Sequence, residues 1–229
     1  MRAMHAAVLS VLALAVAGCS STKEGNPKDI KFSGFLGDYS QLKPGGPGKA
    51  AFAYWAPGLS IVKFTKVMVD PPEAWVSDEQ RKKISEENLS YLLTSLDTAM
   101  RDSLGAKWEL VDRPGPDVLR IRLAIANATS ATGALTPFTR IVPFGLITSL
   151  GVNEATGSYL NVGAVNGEME VVDGGTGKRL AAFVDRREGT GSMGSAFSDW
   201  GDVVDACHYW SDRLANRLVE LGMRPTKGG

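Results

Sequence analysis

Val118-Leu119-Arg120-Ile121-Arg122-Leu123-Ala124-Ile125-Ala126 is the stretch from which the fold is read. Side chains alternate across a strand, so Leu119, Ile121, Leu123 and Ile125 share an apolar face while Arg120 and Arg122 point the other way. Six residues before it, Asp112-Arg113-Pro114-Gly115-Pro116-Asp117, form a dense cluster of turn formers, and Trp108 to Val111 reads as the preceding strand. Downstream, Gly163 to Val172 and Arg179 to Arg186 make a further pair. They join through Asp173-Gly174-Gly175-Thr176-Gly177-Lys178, whose glycines suit a slightly long hairpin turn.

Helical periodicity appears on either side of these strands. Ser77 with Gln80 has the spacing of a capping box and opens a helix whose apolar positions run Ile84, Leu89, Leu92, Leu93, Leu96, Met100 and Leu104, with Gly105 as its stop. Val203, Cys207, Trp210, Leu214, Leu218 and Leu221 recur at the same period before Gly222, so an amphipathic helix closes the chain. Between Ser60 and Val69 both faces carry apolar residues, which predicts a mostly buried strand halted by Asp70-Pro71-Pro72. The expected fold class is α+β: a single domain with a mainly antiparallel sheet of about five strands packed by two long helices.

Composition narrows the partners. The 229 residues balance 25 basic against 25 acidic side chains, without the basic excess of a nucleic-acid binder. At the start, Arg2 precedes an apolar run from Ala6 to Ala15 and then Val16-Ala17-Gly18-Cys19. A basic start, a short apolar core and small residues before a cut point are the parts of a secretory signal, and the run is too short to span a bilayer. The cysteine after the small pair makes the stretch resemble the lipobox of bacterial lipoproteins. That resemblance implies cleavage after Gly18, diacylglycerol on the Cys19 thiol, and acylation of the new amino terminus. Serine rather than aspartate at position 20 resembles the outer-membrane class.

The expected organisation is therefore a signal peptide over 1–18, a lipidated N-terminus with a flexible tether over 19–33, and one domain over 34–229. Fully extended, the polar stretch 20–33 would reach ~45 Å from the lipid. Lipidation of Cys19 leaves Cys207 without an intramolecular partner, and a lone thiol in an oxidising compartment is expected to be buried.

Chemical motifs are sparse. Gly189-Thr190-Gly191-Ser192-Met193-Gly194 matches the glycine spacing of dinucleotide loops, but only one helix follows it and no βαβ unit opens there. Gly174 to Lys178 hints at a phosphate loop and fails it, because Val172 stands where glycine is needed and Arg179 where a hydroxyl is needed. Cys207 and His208 are neighbours on a helix and diverge by about 100°, so they suit neither a nucleophile and base nor a metal pair. Glu168 and Glu170 share a strand face with Asp173 just beyond. A paired-acid catalyst is one reading; a strand face meeting Arg120 or Arg122 across the sheet is the expected one. Asp199, Asp202 and Asp205 gather at the start of the last helix, where negative charge meets the positive helix end. Ile141 to Asn153 is uncharged, with Pro143, Gly145 and Gly151 opposing a regular helix, and lies in the longest predicted connection. It reads as a loop packed over the sheet, or as a contact surface. No catalytic residue, metal ligand or cofactor site is assigned, and Cys19 is the one site residue, for lipidation.

Several stretches together resemble a family of bacterial lipoproteins known as domain-of-unknown-function family 3313. They are Ser33-Gly34-Phe35-Leu36 with Asp38-Tyr39-Ser40, the strand Asp117 to Leu123, Glu168 and Glu170 before Asp173 with Thr176-Gly177, and the helix Trp200 to Leu214. Membership implies a lipid-anchored envelope protein with no catalytic residues to carry over. The element order also looks like the compact α/β domain of several periplasmic lipoproteins of secretion and envelope machinery, an analogy of fold alone. The expected function is that of a non-enzymatic outer-membrane lipoprotein, facing the periplasm and contacting an unknown envelope protein in assembly or maintenance. Two alternatives stand beside it: a subunit of an oligomeric envelope or export complex that uses 141–153, and an unrecognised periplasmic hydrolase.

Overall fold

The structure, a computed structural model, describes residues 22–131, 162–190 and 199–227. Expectations on residues 1–18, Cys19, 141–153 and Gly191–Gly194 fall outside the described residues. Among the described residues there are nine strands: β1 (Thr22–Glu24), β2 (Lys43–Pro44), β3 (Phe52–Trp55), β4 (Lys66–Val69), β5 (Glu73–Ala74), β6 (Glu109–Leu110), β7 (Val118–Thr129), β8 (Ala164–Asp173) and β9 (Arg179–Gly189). The helices among the described residues are α1 (Asp78–Arg81), α2 (Glu86–Gly105) and α3 (Gly201–Glu220), with a short 3-10 turn at Pro27–Asp29.

All nine strands join one sheet, ordered β2-β3-β9-β8-β7-β4-β6, with β1 beside β9 and β5 beside β7. This corrects the expectation of about five mainly antiparallel strands. The sheet is mixed: β7, β8, β9, β3 and β2 run antiparallel in turn, whereas β4 and β5 lie parallel to β7 and β6 parallel to β4. The parallel half follows from α2, since a chain that leaves β4, crosses over the sheet as a helix and returns can only re-enter in the same direction. Trp108–Val111 accordingly contributes an edge strand beside β4 and does not form a hairpin with β7.

Three local readings also change. The predicted strand 60–69 is a turn as far as Thr65, with Phe64 N–H donating to the Ile61 carbonyl at 3.1 Å, and only Lys66–Val69 is extended. Ser77 caps the four-residue α1; Ser85 starts the long helix, its hydroxyl accepting the Asn88 N–H at 3.2 Å. Gly105 is the last residue of α2, and its smallness serves packing: a Cβ there would lie 3.2 Å from Leu110 Cδ1. At the end of α3, Gly222 has φ +93°, and Met223 N–H donates to Leu218 while Gly222 N–H donates to Val219, the paired bonds of a Schellman stop.

The sheet buries both faces. On one, Leu119, Ile121, Leu123 and Ile125 pack under α2 and α3 in the main core. On the other, residues 30–42 fold back over Ala124, Ala182 and Val184, placing Phe35 and Leu36 in a second, smaller core. The stretch 20–33, read as a tether, is drawn onto the protein from Thr22 onward. Thr22, Lys23 and Glu24 pair with Gly189, Glu188 and Arg187, and Phe32 stacks on Tyr39 at 4.4 Å.

The β8–β9 turn is built by Asp173, whose Oδ1 accepts the N–H groups of Gly175 and Thr176 at 2.9 and 3.0 Å while Oδ2 meets Lys63 Nζ at 2.6 Å. Burial raises the pKa of this carboxyl, but Lys63 and the two N–H groups outweigh burial and hold it below the usual carboxylate range. A depressed folded-state pKa gives stability that is present above the unfolded value, near pH 4, and lost as pH falls through the folded value. Urea titrations of Asp173→Asn and the unsubstituted chain are therefore expected to differ by a steady amount above about pH 4 and to draw together as pH falls below it.

Candidate functional site

Glu168 and Glu170, flagged by their spacing, do lie on one face of β8, the face opposite the long helices. Each is fully engaged. Glu168 accepts the Ser33 N–H at 2.7 Å on Oε1 and the Tyr39 hydroxyl at 2.6 Å on Oε2. Glu170 receives Arg179 Nε at 2.5 Å on Oε1 and Arg122 Nη1 at 2.6 Å on Oε2. Arg122 is thus the cross-strand partner that the sequence suggested, while Arg120 turns to Asp70 with contacts of 2.6 to 3.0 Å. Arg179 also donates to the carbonyls of Leu36 and Asp38. The two glutamates are fasteners, holding the 33–39 segment to the sheet. Nothing in the spacing of Glu168 and Glu170 could show this, because their partners lie 135 and 129 residues away for Glu168.

Cys207 sits within the main core, and burial pushes its thiol pKa up to about 12. His208 is exposed beside it, so the pair does not assemble. Among Asp199, Asp202 and Asp205, only Asp202 is buried, and its Oδ2 accepts the Gly163 N–H at 2.7 Å. Among the described residues, no group of three His, Cys, Asp or Glu could hold a metal ion, and no helix is long and apolar enough to cross a membrane.

The feature with room for a ligand lies on the other face, between α3 and the strands β3, β8 and β9. It is a cavity of about 360 Å³. Trp55, Met169, Phe183, Leu96 and Leu214 line its interior, and Lys49, Arg213 and Arg217 stand at its rim. Trp55 and Phe183 meet edge to face at 4.9 Å, so two aromatic rings form one wall. They remain only half-buried although they face a helix, because α3 stands off from the sheet here. Gly167 allows Trp210 to lie against the strand: a Cβ there would be 2.8 Å from the indole ring. Trp210 Nε1 donates to Asp185 at 2.8 Å, and the Ala51 N–H donates to the same carboxylate at 3.0 Å. Burial raises the Asp185 pKa, against the opposing hydrogen bonds from Trp210 and Ala51 and the charge of Arg187.

Beside the mouth, Arg187 stacks over Tyr209 at 3.8 Å and donates to the Thr22 carbonyl at 2.7 Å. The first strand is thereby fastened next to α3. Sequence reading found Trp210 and Leu214 as a helical stripe. It missed Trp55, Phe183 and Asp185, for which the one available signal was an acid at an inward position of a strand, Ala181-Phe183-Asp185-Arg187 by alternation.

Comparison with known proteins finds a relative that is a lipoprotein. It is 28% identical over 198 residues to the uncharacterized lipoprotein YdcL of Escherichia coli (strain K12), covering 84% of this chain and 87% of that one. Among solved structures it is similar to the PelC dodecamer from Paraburkholderia phytofirmans, with a TM-score of 0.41, 12% identity, and coverage of 75% of this chain and 96% of that one. It is also similar to a putative neuraminyllactose-binding hemagglutinin homolog from Helicobacter pylori, with a TM-score of 0.39, 11% identity, and coverage of 80% and 94%. Likenesses at this distance say nothing of what this chain binds or how it assembles. The model of the family described as protein of unknown function (DUF3313) matches residues 31–214, and the chain belongs to that family.

Proposed function

We propose that the protein is a lipid-anchored component of the Gram-negative outer membrane, facing the periplasm and working by contact in envelope assembly or maintenance, without catalysis. The observation that carries this is Val16-Ala17-Gly18-Cys19 followed by Ser20. The lipoprotein relative supports the anchor. The non-catalytic reading draws support from Glu168 and Glu170, whose carboxylate oxygens are all engaged in holding structure, and from the core position of Cys207.

β1 sharpens the geometry. Two residues, Ser20 and Ser21, separate Cys19 from the start of β1 at Thr22, a span of about 10 Å when extended, so an acylated Cys19 holds the domain against the lipid surface. With two or three acyl chains at about 0.8 kcal/mol per buried methylene, attachment is effectively permanent. Cys19→Ser is expected to abolish incorporation of labelled palmitate and to move the protein from the membrane to the soluble fraction. Labelling that persists in this variant would overturn the assignment of Cys19.

A further inference from the structure

The cavity beneath α3 has no counterpart in the function just described. Its volume of about 360 Å³ falls in the range of small-ligand sites, and its interior is aromatic and aliphatic. Such a space would be expected to collapse if nothing held it open. Here Trp210 is pinned by Asp185, and the edge-to-face pair of Trp55 and Phe183 braces the opposite wall.

Charge at the mouth has one sign. Lys49, Arg213 and Arg217 are all exposed there. Arg213 donates to the Gly48 carbonyl and so keeps its full charge, while Arg217 lies over Trp55 at 5.3 Å and shares an exposed ion pair with Glu220. Two acids also line the cavity: Glu168 turns its carboxylate to Ser33 and Tyr39 on the opposite face, and Asp185 accepts from Trp210 on one oxygen and Ala51 on the other. An apolar interior below a cationic rim is complementary to a molecule with an apolar chain and an anionic end.

Position points to the same class. Thr22 is joined through Arg187 to Tyr209, which lines the cavity, so on the lipid-anchor reading the opening stands on the part of the domain nearest its anchor. The source of the ligand rests on that reading; the cavity chemistry does not. We propose that this cavity receives the single acyl chain of a fatty acid, with its carboxylate held by Lys49 and Arg213 at the rim.

The test uses the full chain carrying Cys19→Ser, recovered as soluble protein so that no detergent competes, with laurate below its micellar concentration as the probe. Binding is followed by calorimetry and by the fluorescence of Trp55 and Trp210. One equivalent of laurate is expected to bind saturably, and dodecyltrimethylammonium at least tenfold more weakly. Lys49→Gln with Arg213→Gln is expected to weaken laurate binding by about tenfold or more, the loss of charge-assisted hydrogen bonds. Raising salt on the unsubstituted rim should weaken laurate binding and leave the cationic amphiphile no weaker, which decides the question even if the double variant fails to fold. Equal affinity for the two amphiphiles, or no saturable binding of laurate, would overturn the proposal. Because the chain tested carries no anchor, that failure leaves the Cys19 assignment standing, and loss of the Cys19 assignment leaves this binding intact.

Discussion

Trp210→Ala is expected to destabilise the protein by about 3–5 kcal/mol, the cost of removing a large aromatic side chain from a core. Three losses combine at this position. The indole is buried against Gly167, where no neighbouring Cβ exists to relax into the gap. Its removal also enlarges a cavity that already measures about 360 Å³, so the walls have little left to close upon. Finally, the buried Asp185 loses its side-chain donor at 2.8 Å. Trp210→Phe separates these contributions. It retains ring packing and removes the hydrogen bond, for an expected loss of about 1–3 kcal/mol. Chemical denaturation of both variants measures the difference; equal losses would mean that the Asp185 bond, and not volume, dominates.

Arg179→Ala is the second large effect, expected at about 3 kcal/mol. Glu170 is buried and balanced by two guanidiniums, so removing Arg179 leaves it with Arg122 alone. The carbonyls of Leu36 and Asp38 lose their donor in the same step. The 33–39 segment would then be held chiefly by Glu168 through Ser33 and Tyr39. Faster hydrogen exchange over residues 33–39 is the expected signature, with little change in α2 or α3, which cover the opposite face. Exchange that accelerates equally across the whole chain would show instead that the segment does not open separately from the sheet.

These two positions differ in how visible they were. Trp210 belongs to a stripe at helical spacing, and its burial could be read from Val203, Cys207, Leu214 and Leu218 around it. Its partners could not, because Gly167 and Asp185 reach it only through the register of β8 and β9. Arg179 looked like the residue after a turn. Its importance comes from a segment 141 and 143 residues earlier that folds across the back of the sheet.

The strands divide in the same way. β7, β8 and β9 have ten to twelve residues each, long enough for alternation to declare itself. β1, β2, β5 and β6 have two or three residues, fewer than one full alternation can establish, and they exist because neighbouring strands offer them partners. The parallel pairing of β4 with β7 is equally remote from local pattern. It follows from the passage of α2 over the sheet.

By itself, the sequence determined what is local: the amphipathic periods of α2 and α3, the Asp173–Lys178 hairpin, the alternating faces of the long strands and the resemblance of Val16–Cys19 to a lipobox. Each depends on side-chain period, turn chemistry or adjacent residues, all contained in a few positions of chain. Only the tertiary structure decided the number and mixture of strands, the use of Glu168 and Glu170 as fasteners, and the basic-rimmed cavity beneath α3. Those depend on groups far apart in sequence meeting in space, and burial of two sheet faces, not local preference, selects which groups meet.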